Sequence, residues 1–388
     1  MTIFSSSART DGSPRRANET MFNFLDRTGL LYFEPVRDLL EAWVSDVPAE
    51  ARGGIVGNLS SGDDKFYSAL WELYLYKVAS GSADHVEFHP DVTGTSRHPD
   101  FLVHGATSYY LEAVAVGRRP ERVATERRLR DVEAVLDRVR VTGVTLNFEH
   151  HQVGSKPIRA AKLRDQLLRW IDRLNADDLA LQRDEFRPGA HRPTYEFEDE
   201  GWYLAFEALP TARGTSRKSP LIGIRGDGRA KGVDNKTGLR RVLDAKSSRY
   251  GTSLPYPLVT AIFSNTDFPT RNYDISEALY GLSALPPASV TDHIDLNADG
   301  HWRTKTGWRR SHNPNVIVAA GLTLHNLTSV TPTLWTTLEP SARAVADIEW
   351  ADPVDVSTHD LRTLGRLPAL GSLGIDASWC SGVPDFDT

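Results

Sequence analysis

The 388-residue chain contains one cysteine, Cys380, so no disulfide can form within it, which fits a reducing compartment. No window approaches eighteen uninterrupted apolar residues, and the N-terminus is polar (Ser5-Ser6-Ser7, Arg15-Arg16) without an apolar core. Neither a membrane span nor secretion is therefore expected, and the cytoplasm is the expected location. Glycine-rich nucleotide-binding motifs, Ser or Cys nucleophile signatures and zinc-ligand spacing are missing too. Gly226-Asp227-Gly228 is too short a pattern for a phosphate loop and reads as a turn. There is no internal repeat and no heptad register.

What is present is an ordinary globular composition, 40% apolar and 25% charged, with a formal net charge of −6. The charge is unevenly spread. Eleven basic residues between Arg213 and Arg249 face three acids, so this stretch carries +8 and the remainder of the chain −14. A basic block in an acidic protein is the footprint of a phosphate-backbone binder, although solvated loops produce the same pattern. Its candidate backbone contacts are Arg225, Arg229, Lys231, Lys236 and Arg240. His301 to Arg310 (HWRTKTGWRR) interleaves tryptophan with basic residues. That fits either a base-stacking platform or a hairpin with aromatic cross-strand packing.

Two apolar runs, Phe101-Leu102-Val103 and Tyr109 to Val116 (YYLEAVAV), read as strands joined by a short turn. With a three-residue loop over 105–107, Asp100 falls opposite Glu112, and directly opposed Cβ atoms lie roughly 5 Å apart. Two carboxylates so placed either both face water or share a cation, since each otherwise raises the pKa of the other. A hard ion such as Mg²⁺ is held by one or two carboxylates with water and substrate phosphate.

Pro99-Asp100, eleven residues, then Glu112-x-Val114 resembles the PD-(D/E)XK nuclease superfamily, with a Glu-bearing helix at Trp71-Glu72-Leu73 upstream. The resemblance spans about residues 61–186. It implies an α/β, restriction-endonuclease-like core with a central mixed sheet flanked by helices. It also implies Asp100 and Glu112 as ligands of Mg²⁺ (or Mn²⁺), with Glu72 in support. The family's lysine two residues after the second acid is absent here, because Val114 stands in its place.

The helix carrying Glu72 (KFYSALWELYLYKVA) is apolar around nearly its whole circumference, so it is expected to be buried. A carboxylate there must find a partner or protonate, and both an arginine salt bridge and a catalytic pocket satisfy that. In a second helix, predicted over 235–250, Lys246 shares the apolar side with Leu239 and Leu243, and Tyr250 follows one turn on. Lys246 either snorkels or meets a carboxylate. If that carboxylate is Asp100 or Glu112, it stands in for the missing lysine. His150-His151 lies in a strand, where neighbouring side chains point to opposite faces, which does not suit a shared metal.

Three regions are expected: a polar tail, disordered to about residue 20, with a helix over 1–60; the nuclease-like core over 61–186; and a C-terminal α+β extension over 187–388 with the basic stretch 213–250. The expected function is metal-dependent hydrolysis of DNA phosphodiester bonds. The alternative keeps the nuclease fold without its chemistry and binds nucleic acid or a partner protein. A homodimer is compatible with the sequence, and no membrane partner is expected.

Overall fold

The structure is a computed structural model that describes residues 2–16, 19–116, 120–136, 138–174, 192–210, 219–226, 235–247, 249–250, 254–266, 269–281, 300–304, 307–308, 314–338, 343, 345, 348–355 and 361–379. The chain divides into two compact units. One comprises residues 1–14, 20–118 and 233–388, and the other comprises 15–19 and 119–232.

The first unit opens with helices α1 (Met21–Arg27), α2 (Glu34–Asp46), α3 (Ala49–Ser60) and α4 (Asp63–Ser82). Helix α4 begins after Gly62, whose φ of 142° suits a residue without a Cβ, and Asp63 and Asp64 lie at the positive end of its dipole. Its buried residues recur on almost every side, from Phe66 through Trp71 and Tyr74 to Val78. Three strands follow: β1 (His85–Phe88), β2 (Phe101–His104) and β3 (Tyr109–Val116).

The inserted second unit builds its own sheet. It holds α5 (Pro120–Leu136), β4 (Val144–Gln152), α6 (Ala160–Ile171), β5 (Thr194–Asp199), β6 (Trp202–Pro210) and β7 (Ile222–Gly226), with strand order β5-β6-β4-β7. Its core packs Phe148 on Phe206, with Leu163 and Leu167 of α6 against the sheet residues. The β5–β6 hairpin turns through Glu200 and Gly201, both at positive φ.

The first unit then resumes with α7 (Asn235–Ser247), β8 (Leu258–Ser264), α8 (Asn272–Tyr280), β9 (Asn315–Ala320), β10 (Thr333–Thr336), β11 (Asp352–Asp355), β12 (Arg362–Thr363) and α9 (Leu370–Leu373). Its eight strands form one mixed sheet in the order β1-β2-β3-β8-β9-β10-β11-β12. Strands β3, β8 and β9 run parallel in its middle. Every residue of β8 is buried, as expected for a strand covered on both faces. Leu111, Val259, Ala261 and Phe263 pack beneath α1–α4, and Trp71 of α4 donates its indole N–H to Ala261 O at 2.9 Å. On the opposite face, Val116, Ile262, Val316 and Val318 meet Leu239 and Leu243 of α7 and Ile275 and Leu279 of α8. The unit is thus an α/β sandwich with helices on both faces of a mixed sheet.

Three expectations need correction. The sheet does not follow the boundaries at 61 and 186, because β3 pairs with β8 rather than with any strand between 141 and 186. Residues 119–186, expected inside the nuclease-like core, belong to the inserted unit. The N-terminal segment is ordered over its described part: Phe4 is buried and stacks on Phe22, and the Glu41 carboxylate accepts from the N–H groups of Ile3 and Phe4. Two apolar residues and one carboxylate anchor a stretch whose composition is otherwise polar. Among the described residues, no helix is long and apolar enough to cross a membrane.

Asn315, fully buried at the start of β9, joins three segments. Its amide donates to Leu258 O (3.2 Å) and Arg343 O (3.4 Å), and its Oδ1 accepts from Val345 N–H at 2.7 Å. Asn315→Ala strands these buried groups at a cost of about 2–4 kcal/mol. Urea unfolding is expected to show a lower midpoint with an unchanged slope.

Candidate active site

Side chains alternate along β3. Leu111 joins the core beneath α1–α4, whereas Glu112 points to the other face, in line with Tyr110 and Val116. Glu112 is only 1% exposed. The β2–β3 hairpin pairs Phe101 with Leu111 and Val103 with Tyr109, and continuing that register by one residue puts Asp100 opposite Glu112. Asp100 is tied to β3 directly, because its Oδ2 accepts from Ala113 N–H at 2.7 Å. The hairpin thereby brings the two acids together.

A carboxylate buried this deeply needs compensating donors. Glu112 finds three of them at the end of α7 and in the turn after it. Lys246 Nζ donates to Oε1, and Arg249 Nη1 donates to the same oxygen at 3.1 Å. The Tyr250 hydroxyl lies 2.5 Å from Oε2 and 3.1 Å from the carbonyl oxygen of His98. Both carboxylate oxygens are engaged. Lys246 thus meets a carboxylate rather than snorkelling, and it approaches over the strand face where Val114 leaves the motif position without a cation.

Glu72 on α4 forms no ion pair or hydrogen bond among the described residues, so the arginine salt bridge is not formed there. Burial, reinforced by the charge of Glu112, pushes its carboxyl up to about 7, and Lys246 opposes the rise. The Asp100 carboxyl is also held well above the usual carboxylate range, first by burial and then by the charges of Glu112 and Glu72. The Ala113 N–H and Lys246 act against that shift. Burial and the neighbouring Glu112 raise the Tyr250 hydroxyl as well. Three carboxylates therefore feel one another's charge beside two cations, Lys246 and Arg249, and Glu72 and Asp100 both keep partial access to solvent.

That donor chemistry suits a hard divalent cation, because the atoms offered as ligands are carboxylate oxygens. Among the described residues, no three His, Cys, Asp or Glu side chains are grouped so as to hold a metal alone. An Mg²⁺ or Mn²⁺ ion here would take Asp100 and Glu112, with water or substrate oxygens completing its shell, and would have to share Glu112 with its present donors.

The other candidate residues lie elsewhere. Lys236 is paired with Glu277 at 3.0 Å and Arg240 with Asp244 at 3.6 Å, so both are committed within the protein. Arg229, Lys231, the side chain of Arg225, and the His150 and His151 side chains fall outside the described residues, as does Cys380. Trp302 is buried edge-on against Tyr280, which removes it from any base-stacking platform. His301, also buried, places Nδ1 2.8 Å from Asp244. Arg249 and Tyr250 join the site although the sequence does not single them out as site residues. Their signal was the spacing Lys246, Arg249, Tyr250, which gathers three donors on one side of a helix and its following turn. No protein-family model, curated protein or solved structure matches the chain.

The position of Glu72 has a measurable consequence. Its carboxyl titrates near 7 when folded and near 4.5 when unfolded, so the folded protein binds the proton more tightly. Below about pH 4.5 both states are protonated and there is no penalty. The penalty grows as pH rises and is complete above about pH 7. Glu72→Gln in EDTA is therefore expected to raise the melting temperature at pH 8 and leave it nearly unchanged at pH 4.5. Melting curves across that range check the sign.

Proposed function

We propose that the protein is a metal-dependent, nuclease-like hydrolase acting on DNA phosphodiester bonds, with a restriction-endonuclease-like arrangement of its first unit. The observation that carries this reading is the arrival of Lys246 at Glu112 from 134 positions along the chain. The opposed acids Asp100 and Glu112 follow the family pattern, the lysine at position 114 does not, and a lysine from α7 reaches the same carboxylate. Glu72, close enough to feel Glu112, supports the reading further.

When bound by Asp100 and Glu112, Mg²⁺ or Mn²⁺ would supply Lewis-acid polarisation of the scissile phosphate and a more acidic water. The chain's own residues do the rest. Lys246 donates hydrogen bonds to the attacking water and to phosphate oxygen, orienting one against the other. Arg249, more than a third exposed, offers a planar set of donors that matches two phosphate oxygens. Glu72 holds or releases a proton near neutral pH. Arg225, Arg229 and Lys231 are the candidate backbone contacts. They belong to the inserted unit, whose residues 119–232 carry a net +4 while the rest of the chain carries −10. Lys236 and Arg240 contribute less, since each already faces an acid.

A second reading, a catalytically silent nuclease fold that binds nucleic acid or a partner, draws on one observation: both oxygens of Glu112 are already taken by protein donors.

Incubation with plasmid, linear and single-stranded DNA separates the two. Cleavage is expected with Mg²⁺ or Mn²⁺ and not in EDTA. Asp100→Ala and Glu112→Ala should each lower the rate by at least about 10²-fold, or about 2.7 kcal/mol of barrier. Thermal melts run alongside separate lost chemistry from lost folding. Salt-dependent DNA binding without cleavage by the wild type would favour the silent fold.

A further inference from the structure

We infer that Tyr250 is a positioning residue of this site, one that fixes the Glu112 carboxylate relative to the segment carrying Asp100 and so sets the spacing of the two metal-binding acids. The inference rests on the nuclease reading above. Lys246 and Arg249 both act on Oε1, so neither holds the second oxygen of the carboxylate. The Tyr250 hydroxyl does, at 2.5 Å from Oε2.

The same hydroxyl lies 3.1 Å from the carbonyl oxygen of His98, two residues before Asp100. Between them stands Pro99, buried and with its φ fixed by the ring, so the carbonyl and the Asp100 backbone move together. A phenol carries one proton and donates to one acceptor at a time. The short contact is to Glu112, and the His98 carbonyl marks where the proton goes if Glu112 turns away. Tyr250 therefore bonds to Glu112 on the β3 side while its oxygen packs against the His98 carbonyl on the β2 side, so its place is set by both segments.

The ring is itself enclosed. It is 6% exposed and packs with Leu102, Tyr110 and Leu258. Asp100 and Glu112 would hold the divalent cation, and Tyr250, which contacts Oε2 alone, leaves Oε1 to Lys246 and Arg249. Such outer contacts to a ligating carboxylate typically change metal affinity or activity by about 10- to 100-fold.

Tyr250→Phe keeps the ring and removes only the hydroxyl. Mn²⁺ binding is measured by electron paramagnetic resonance without DNA, and kcat and KM are measured separately at subsaturating Mn²⁺. The expected result is Mn²⁺ affinity weakened about 10- to 100-fold, kcat reduced to a similar degree, and KM for DNA within about twofold, with a cooperative melt retained. Unchanged Mn²⁺ affinity and kcat beside an active wild type overturn the inference alone. So does a loss of activity that tracks a lowered melting temperature with Mn²⁺ affinity intact. A wild type that neither binds Mn²⁺ nor cleaves overturns both this inference and the nuclease reading.

Discussion

The burial of one carboxylate, that of Glu112, constrains much of the first unit. Glu112 sits on a strand of the central parallel set, out of contact with bulk water. An unpaired charge there would cost several kcal/mol. The chain meets that cost by bringing the end of α7 over the sheet, so that one ammonium, one guanidinium and one phenol converge on the two oxygens. Leu239 and Leu243 seat the helix on Val116 and Ile262, and that apolar contact fixes where Lys246 emerges. Packing and electrostatics act here through the same helix.

The same arrangement leaves an imbalance. Glu72 approaches from the helices on one side and Asp100 from the neighbouring strand, and two cations do not neutralise three acids. Burial, more than the repulsion among these acids, raises the carboxyls of Glu72 and Asp100, although both keep partial access to solvent. In the proposed reading, a divalent cation held by Asp100 and Glu112 would offset the repulsive part.

Local features were legible in the sequence where one period or one loop decided them. The two-residue period of YYLEAVAV and the short turn before it give the hairpin register, and with it the pairing of Asp100 with Glu112. The continuous apolar surface around Trp71 announces a buried helix. Partner choice within the sheet was not legible. Residues 258–264 and 141–148 are both short apolar runs, and neither says which one lies beside β3. The expected boundary between 186 and 187 falls inside the inserted unit rather than at its border. Tyr250 was visible as the next residue on the Lys246 side of the helix. Its contact with Glu112 depends on the placement of α7 across the sheet, which periodicity does not report.

In the proposed mechanism Lys246 does from α7 what a lysine at position 114 would do from β3. The most direct measurement compares DNA cleavage by Lys246→Ala with cleavage by the double variant Lys246→Ala/Val114→Lys. The account predicts loss of cleavage in the single variant and partial recovery when the lysine is returned to the strand. Wild-type cleavage by Lys246→Ala alone would contradict it.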